Sequence, residues 1–347
     1  MNALVKKWPP EPPGGPTELS VVIPMYNEHE VIPAMYERIT TVLARLNAPY
    51  ELVLVDDGSR DGTPNVIKAL AEKDKAITAV FLSRNFGKEA ALTAGLAHAA
   101  GAAVVIMDAD LQDPPELIPQ MMQEWKKGAD VVCMRRRSRR GESWFKRRSA
   151  HHFYRLLNAI SDVEIPPDTG DFRLLSRKAV YALQQLNERN RYMKGLFAWI
   201  GLPTAIIEYD RLPRVAGVTK WDYLSLFNLA FQGITSFSVA PLRVATAGGV
   251  ITAFLGLLFA LWIVAKALVL GDPVQGYPSL IAMITILGGV QLLSIGLVGE
   301  YVGKTYSETK QRPVYIVRDV MRHGRAAGEN AGRVDGIAEQ ESYHAAA

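Results

Sequence analysis

Between residues 19 and 134, five short apolar segments alternate with four segments of helical periodicity. Runs of small and β-branched apolar residues predict buried strands at 19–24, 51–56, 77–83, 103–108 and 130–134. The stretches between them predict helices near 30–46, 64–73, 88–100 and 114–127. Such strict alternation indicates an α/β domain with a mostly parallel sheet that is covered on both faces. The sequence has neither a Gly-x-Gly-x-x-Gly nor a Walker motif, which disfavours dinucleotide-binding and P-loop folds.

Two of the predicted strands end in pairs of carboxylates. The strand at 103–108 runs into Asp108 and Asp110, which are separated by one residue. The strand at 51–56 closes on Asp56 and Asp57 in the same way. Carboxyl ends of parallel strands share one edge of the sheet, where ligands of open α/β sheets bind. Asp108 and Asp110 therefore suit a divalent cation, Mg²⁺ or Mn²⁺, lying between carboxylates and the phosphates of a substrate.

Simpler roles are open for some of these acids. Asp113, with Pro114 at the first helical position and Glu116 as its partner in a capping box, is predicted to begin the helix at 114–127. That role explains Asp113 but not the two acids before it. An ordinary Asx turn would explain one member of the pair Asp56 and Asp57.

A basic segment follows the last of these strands. Residues 135–149 contain eight Lys and Arg residues and one acid, although the net charge of the whole chain is only +4. Trp144 and Phe145 interrupt the run. Polybasic segments gain about 1 kcal/mol per charge near an anionic leaflet, so we favour contact with lipid phosphate or a membrane surface over nucleic acid. The neighbouring His151 and His152 lack a third ligand at metal spacing and are expected at the surface.

Two long apolar stretches near the C-terminus predict a membrane hairpin with spans at about 245–270 and 280–302. The stretch 271–279 between them has no Lys or Arg, whereas basic residues precede the first span and follow the second. The positive-inside rule then places both termini in the cytoplasm. Residues 221–242 begin with an amphipathic, aromatic-rich stretch that predicts helices lying in the membrane interface. The expected organisation is a flexible leader at 1–17, a catalytic domain at 18–220, these helices, the hairpin at 243–304, and a C-terminal segment at 305–347 with a mobile tail.

Several motifs together are similar to those of family 2 glycosyltransferases, which have the GT-A fold. They lie at 21–28 (VVIPMYNE), 55–59 (VDDGS), 108–114 (DADLQDP), 168–174 (DTGDFRL) and 217–221 (GVTKW). Within the family, the chain most resembles the polyisoprenyl-phosphate glycosyltransferase branch, and the similarity covers about 19–320. The segment 299–304 (GEYVGK) resembles the bacterial glucosyltransferase-type members. The resemblance thus implies a Rossmann-like GT-A domain joined to a transmembrane hairpin.

The resemblance also implies donor-side roles by position. Pro24, Tyr26 and Glu28 would line the nucleotide pocket, and Asp57 or its neighbour Asp56 would accept a hydrogen bond from the uracil N3–H. Asp108 and Asp110 would hold the divalent metal on the diphosphate, with Gln112 near the metal or the sugar.

Lys220 and Arg147 are the candidates for holding the acceptor phosphate or the diphosphate of the donor. The simpler interpretation of Lys220 is a plain juxtamembrane charge, and that of Arg147 is a solvated helix residue. Asp171 is expected to orient acceptor-side groups through Arg173. The remaining candidates for binding the sugar or the acceptor are Arg135 and Ser149.

The expected reaction displaces UDP from a nucleotide sugar by an oxygen of a lipid phosphate, and the family resemblance implies inversion at the anomeric carbon. A phosphate monoester is largely ionised at neutral pH, its second pKa being about 6, so the acceptor needs little help from a base. UDP-glucose and undecaprenyl phosphate are the first choice of substrates, in the plasma membrane of a bacterium. A GDP-mannose-dependent enzyme acting on polyprenyl or dolichyl phosphate, and a non-catalytic membrane scaffold, remain open. The apolar stretch 314–317, as a strand added to a neighbouring chain, favours a homo-oligomer.

Overall fold

A computed structural model of the chain describes residues 17–137, 169–210, 240–270 and 276–322. Several predicted segments lie outside these ranges: nearly all of the leader, most of the basic segment, most of 221–242, and the tail beyond residue 322. The candidate site residues Lys220, Arg147 and Ser149 also lie outside them, as do His151 and His152. What the sequence predicts for these residues stays a prediction.

The described residues form an eight-stranded sheet in the order β7-β5-β6-β4-β1-β2-β3-β8. The strands are β1 Leu19–Met25, β2 Tyr50–Asp56, β3 Ile77–Leu82, β4 Ala103–Ile106, β5 Val131–Arg136, β6 Thr169–Ser176, β7 Thr204–Tyr209 and β8 Val317–Arg322. The neighbours β4, β1, β2 and β3 are parallel, as the alternation predicts. However, β6 runs antiparallel to β4 and β5, and β8 runs antiparallel to β3. The sheet is therefore mixed. The alternation did not predict this, because an apolar run indicates that a strand forms but not the direction in which it enters the sheet.

Helices cover both faces of the sheet. They are α1 Ile32–Ala44, α2 Thr63–Lys73, α3 Lys88–His98, α4 Ile118–Lys126, α5 Arg177–Gln184 and α6 Met193–Trp199. Residues of α1, α2 and α4 share a buried cluster with one set of alternating strand residues, and residues of α3, α5 and α6 share a second cluster with the other set. Helix α3 approaches the sheet closely at Gly95, where a Cβ would clash with the Val22 side chain and lie 3.1 Å from the Val55 side chain. The helix begins at Lys88, near the edge of the sheet where β3 ends.

The predicted cap at Asp113 is wrong. The chain first forms a 3₁₀ turn at Pro115–Leu117 and then begins α4 at Ile118, and neither has a side-chain cap. Asp113 instead accepts a 2.7 Å hydrogen bond from the Tyr209 hydroxyl, and Glu116 pairs with Arg38 at 2.8 Å. Both acids are therefore held by partners that are distant in sequence, which a local pattern cannot reveal.

The strand near the C-terminus pairs within its own chain. Residues Val317–Arg322 form β8 and lie antiparallel to β3, so the prediction of a strand at 314–317 added to a neighbouring chain is wrong. The strand covers the edge of β3 that would otherwise be open to other chains. The expected homo-oligomer stays a prediction.

Two long helices, α7 Ala240–Leu270 and α8 Tyr277–Thr309, coincide with the predicted spans and contact each other. Within the described part of the chain, one segment, Ile286–Thr309 in α8, is long and apolar enough to cross a membrane. In α7 the apolar stretch Val244–Phe259 is shorter. Both helices expose large apolar side chains, such as Trp262 and Leu292, which the rest of the described chain does not cover.

Candidate active site

The candidate site lies at the edge of the sheet where β1, β2, β3 and β4 end. β6 begins at the same edge, because it runs antiparallel to β4 with Arg173 opposite Ile106. Continuing this register by two residues brings Asp171 opposite Asp108. Two acids more than 60 residues apart in sequence thus share one corner of the sheet.

A lysine joins these two acids. The Lys88 ammonium lies 2.6 Å from Asp108 Oδ1 and 2.6 Å from Asp171 Oδ2. Burial alone would lower the pKa of Lys88, but the two carboxylates outweigh it and raise this pKa above its usual range. Burial likewise opposes ionisation of Asp171, yet Lys88, together with Lys194 and Arg173, holds the pKa of Asp171 well below its usual range. Asp171 is therefore an ionised carboxylate that binds a proton weakly.

Glu89, the next residue of α3, behaves in the opposite way. Burial and the nearby charge of Asp171 raise the pKa of Glu89 to about 7. Its Oε2 accepts a 3.2 Å hydrogen bond from the Met193 backbone N–H, which opposes this shift. Two neighbouring carboxyl groups thus differ in charge state near neutral pH.

The two acids after β4 lie in one short loop. Asp110 Oδ1 accepts a 3.1 Å hydrogen bond from the Gln112 backbone N–H. Between these residues Leu111 has a φ of 57°, a left-handed conformation that is strained for a branched side chain. Burial of the Ala109 and Leu111 side chains holds the loop in this shape. The loop therefore keeps Asp108, Asp110 and Gln112 together beside the end of β4.

The acids at the end of β2 have different surroundings. Both oxygens of Asp57 accept backbone N–H groups, from Phe86 at 2.8 Å and from Gly87 at 2.9 Å. Asp56 Oδ1 accepts the Ser59 N–H at 3.2 Å, as in the predicted Asx-type turn. The other oxygen, Asp56 Oδ2, is buried and has no hydrogen-bond partner among the described residues. Burial is the main cause that raises the pKa of Asp56.

The predicted nucleotide-pocket residues follow β1 at this same edge. Pro24 pairs with Val55 in the sheet, so Tyr26 lies one residue beyond the pairing with Asp56. The Glu28 backbone N–H donates a 2.9 Å hydrogen bond to the Thr63 hydroxyl. The segment 24–28 is thus anchored next to the buried carboxylate of Asp56.

Two of the predicted acceptor-side arginines, Arg135 and Arg173, lie within the described residues, and other groups of the protein hold both. Arg135 forms a half-exposed ion pair with Glu208 of β7. Arg173 is buried, donates a 2.6 Å hydrogen bond to the Gly170 carbonyl, and lies 3.7 Å from the centre of the Phe197 ring. It supports the backbone around Asp171, while the Asp171 carboxylate itself pairs with Lys88.

The chain matches known proteins over most of its length. Residues 20–183 match the glycosyl transferase family 2 domain, and residues 240–305 match the GtrB C-terminal hairpin. A bactoprenol glucosyl transferase of Shigella phage SfV is 46% identical over 302 residues, which are 87% of this chain and 98% of that protein. A prophage bactoprenol glucosyl transferase homolog of Escherichia coli K12 is 44% identical over 88% of this chain and all of that protein. An uncharacterized glycosyltransferase of Synechocystis is 48% identical over 87% of this chain and 95% of that protein.

The chain belongs to glycosyl transferase family 2. The resemblance drawn from the sequence motifs is confirmed, and the mixed sheet is the GT-A-like α/β domain that the resemblance implies.

Sequence reasoning missed two residues of this family 2 site, Lys88 and Glu89. The signal was present, because β3 is the third parallel strand to end at this edge and Arg84-Asn85-Phe86-Gly87-Lys88 follows it. A search of strand ends for acids alone passes over this segment. A lysine at the first turn of a helix is unfavourable for the helix dipole, so its presence at the start of α3 indicates a carboxylate partner elsewhere.

Proposed function

We propose that this protein transfers a sugar, with glucose as the first choice, from a UDP-sugar to a polyprenyl phosphate such as undecaprenyl phosphate. The observation that carries the proposal is the similarity to bactoprenol glucosyl transferases, which extends over nearly the whole length of those proteins. The product is a polyprenyl-phosphate sugar for modification of cell-envelope glycans. The intact acidic cluster at the sheet edge argues against a non-catalytic scaffold.

The proposed nucleotide contact is Asp56 rather than Asp57. Both oxygens of Asp57 already accept backbone N–H groups. Asp56 has a buried oxygen without a partner in the described chain, which costs free energy until a donor reaches it. The uracil N3–H is such a donor, and the anchored segment at Pro24, Tyr26 and Glu28 lies beside it.

Asp108 and Asp110 are the residues proposed to hold a divalent cation, Mg²⁺ or Mn²⁺. Asp108 attracts positive charge, since the Lys88 ammonium lies 2.6 Å from its Oδ1. No cluster of three or more His, Cys, Asp or Glu residues in the described chain could hold a metal by itself, so the donor set fits a cation that is shared with substrate phosphates. Such a cation would stabilise the charge of the leaving diphosphate.

The state of Asp171 favours a phosphate acceptor over a sugar hydroxyl. A hydroxyl nucleophile needs a base whose pKa lies near the working pH. The pKa of Asp171 is held far below that range by Lys88 and its neighbours, so this carboxylate is a poor proton acceptor. A phosphate monoester is already mostly ionised. In the proposed reaction its oxygen attacks the anomeric carbon, the bond to the UDP oxygen breaks with inversion, and no proton has to be removed.

The proposed location is the plasma membrane of a bacterium. Helices α7 and α8 would cross it as a hairpin, with the catalytic domain and both termini in the cytoplasm. The match to the GtrB C-terminal hairpin and the apolar segment of α8 support membrane association. The absence of Lys and Arg from residues 271–279 supports the orientation.

The test is transfer of radiolabelled sugar to a solvent-extractable lipid. The protein in nanodiscs would be given undecaprenyl phosphate, Mg²⁺ or Mn²⁺, and a panel containing UDP-glucose, other UDP-sugars and GDP-mannose. We expect transfer from a UDP-sugar, and we expect this activity to be lost with EDTA and in Asp108→Asn. The control Asp319→Asn lies on β8, four strands from β4, and should retain the activity. Transfer only from GDP-mannose would favour the alternative donor, and no transfer from any donor would leave the scaffold as the better hypothesis.

A further inference from the structure

A cavity of about 580 Å³ lies where the catalytic domain meets α8. Its walls are the start of α3, the loop 189–192 that precedes α6, and the last turns of α8. Lys88 and Glu89 line its catalytic side, and Gly303 and Lys304 line its α8 side. The volume falls within the range of small-molecule sites in proteins. The cavity therefore joins the lysine of the reaction centre to the helix that carries the apolar segment.

Glycines keep the α8 wall open. Gly299, Glu300, Gly303, Lys304 and Ser307 line the cavity and recur at helical spacing on one face of α8. A Cβ built at Gly299 or Gly303 would meet no atom within 4 Å. These glycines are therefore not required for close packing against the catalytic domain, and their effect is to widen the cavity.

The opposite wall is held in place from both ends. The Glu308 carboxylate of α8 accepts the backbone N–H groups of Arg189, at 2.9 and 3.1 Å, and of Asn190, at 2.9 Å. At the other end of this loop the Met193 N–H donates to Glu89 of α3. Because α8, the loop and α3 are linked in this way, the cavity has defined walls rather than being a gap between two loosely placed parts.

The chemistry of the lining suits a phosphate attached to an apolar chain. The lining has four cationic groups, which outnumber its two acids, Glu89 and Glu300; the cations are Lys88, Arg189, Arg191 and Lys304. Arg189 Nε is buried with no hydrogen-bond partner among the described residues. Phe86 and Tyr192 contribute aromatic surface, as the lining is both polar and apolar. A charged donor buried without a partner is costly and favours an anionic ligand.

We infer that this cavity receives the phosphate and the first isoprenoid units of the lipid acceptor, which enters along the glycine face of α8. The inference rests on the proposed function and names the path by which its acceptor reaches the reaction centre. At the inner end, Lys88 holds the phosphate beside Asp108 and Asp171. The phosphate oxygen forms the new bond to the anomeric carbon, and the electron pair of the broken bond leaves with UDP.

Narrowing the cavity tests the inference. Gly303→Leu places a side chain in the open space, whereas Gly296→Leu lies two turns earlier on the same helix face and outside the cavity lining. We expect Gly303→Leu to raise the KM for undecaprenyl phosphate by about tenfold or more and to leave the KM for UDP-glucose within about twofold. Gly296→Leu should change neither. Equal KM values for the lipid in the two variants, or an equal rise of both KM values in Gly303→Leu, would overturn the inference.

A binding measurement separates this inference from the proposed function. Native mass spectrometry of the detergent-solubilised protein would follow capture of undecaprenyl phosphate and, in a separate arm, of phosphatidylglycerol. We expect Gly303→Leu to lose the first and Gly296→Leu to retain it, with no preference for phosphatidylglycerol in either. If the unchanged protein transfers sugar to lipid and both variants capture undecaprenyl phosphate equally, the cavity inference is refuted and the proposed function stands. Absence of transfer by the unchanged protein refutes the proposed function, and the cavity inference falls with it.

Discussion

Replacement of Lys88 by methionine removes the charge that joins Asp108 and Asp171 in the candidate site. The ammonium lies 2.6 Å from each carboxylate, so Asp108 Oδ1 and Asp171 Oδ2 are at most 5.2 Å apart, twice that distance. Two like charges at this separation repel by about 0.8 kcal/mol in water and by about 3 kcal/mol at the effective dielectric constant of a protein site. Because the Lys88 side chain is 42% exposed, solvent screening favours the lower part of this range, about 1–2 kcal/mol.

The expected result is a slower enzyme whose loss of rate is smallest at acidic pH. A loss of about 1–2 kcal/mol at the reaction centre lowers kcat/KM by roughly 5- to 30-fold. Without the ammonium the pKa of Asp171 rises, because Lys88 is the main charge that opposes the effect of burial on this group. Because protonation of Asp171 removes this repulsion, the loss of rate should be smaller at the acidic end of the pH–rate profile than at its alkaline end.

The assay is lipid-linked sugar formation between pH 5 and 9, with thermal unfolding measured on the same samples. Lys88→Arg keeps a positive charge between the two carboxylates and should recover part of the rate and the pH profile of the unchanged protein. Lys73→Met, at the exposed last residue of α2, is the matched control for removal of a lysine. If Lys88→Met stayed within about twofold of the unchanged protein at every pH, the electrostatic account of this site would be wrong.

Three further changes test parts of the structure around the site. Gly58→Ala should lower the free energy of unfolding, measured by chemical denaturation, by roughly 2–4 kcal/mol. Gly58 has a φ of 64°, and a Cβ there would lie 2.5 Å from a backbone nitrogen of the loop after β3. The control Gly128→Ala should lower it by only about 1 kcal/mol, because Gly128 has a φ of 105° but no atom within 4 Å of an added Cβ. Glu308→Ala leaves two backbone N–H groups without their acceptor, so hydrogen exchange in residues 187–192 should rise, whereas Thr305→Ala should leave it unchanged. The pKa of Glu89 is about 7 in the folded protein and 4.5 in the unfolded chain. The folded state therefore binds an extra proton between these values, and the melting temperature should fall as pH rises from 5 to 7.5. In Glu89→Gln this fall should be absent.

The strands that the sequence predicts correctly are those whose signal is local. β1, β2, β3, β4 and β5 each contain a continuous apolar run, and their observed ends lie within two residues of the predicted ones. β6, β7 and β8 have less distinct runs, and their places depend on pairings with strands far away in sequence. The cap at Asp113 failed for the same reason, since the hydroxyl of Tyr209 holds this acid across 96 residues.

The acids of the site were predictable because they follow parallel strands, whose carboxyl ends must meet. Asp56, Asp57, Asp108 and Asp110 all lie at this edge. The pattern could not reveal which of Asp56 and Asp57 has an oxygen left for a ligand, because that depends on the loop after β3 supplying its N–H groups to Asp57 alone. The end of β3 points to Lys88, but the carboxylates that it joins could not be predicted, because β6 has to enter the sheet antiparallel to bring Asp171 opposite Asp108.

The charges near the end of α8 bear on how far the lipid acceptor must move. The apolar segment Ile286–Thr309 includes three charged residues, Glu300, Lys304 and Glu308. They face the catalytic domain, because Glu300 and Lys304 line the cavity and Glu308 binds the loop at 189–190. In the proposed arrangement, the part of α8 available to the hydrocarbon layer would be residues 277–298, whose length of about 33 Å is sufficient to cross it. Lys304 lies only about 9 Å further along the helix axis. With α8 crossing as proposed, the phosphate of a polyprenyl lipid needs to rise by less than two helical turns to reach the cavity, so its chain can remain in the bilayer during transfer.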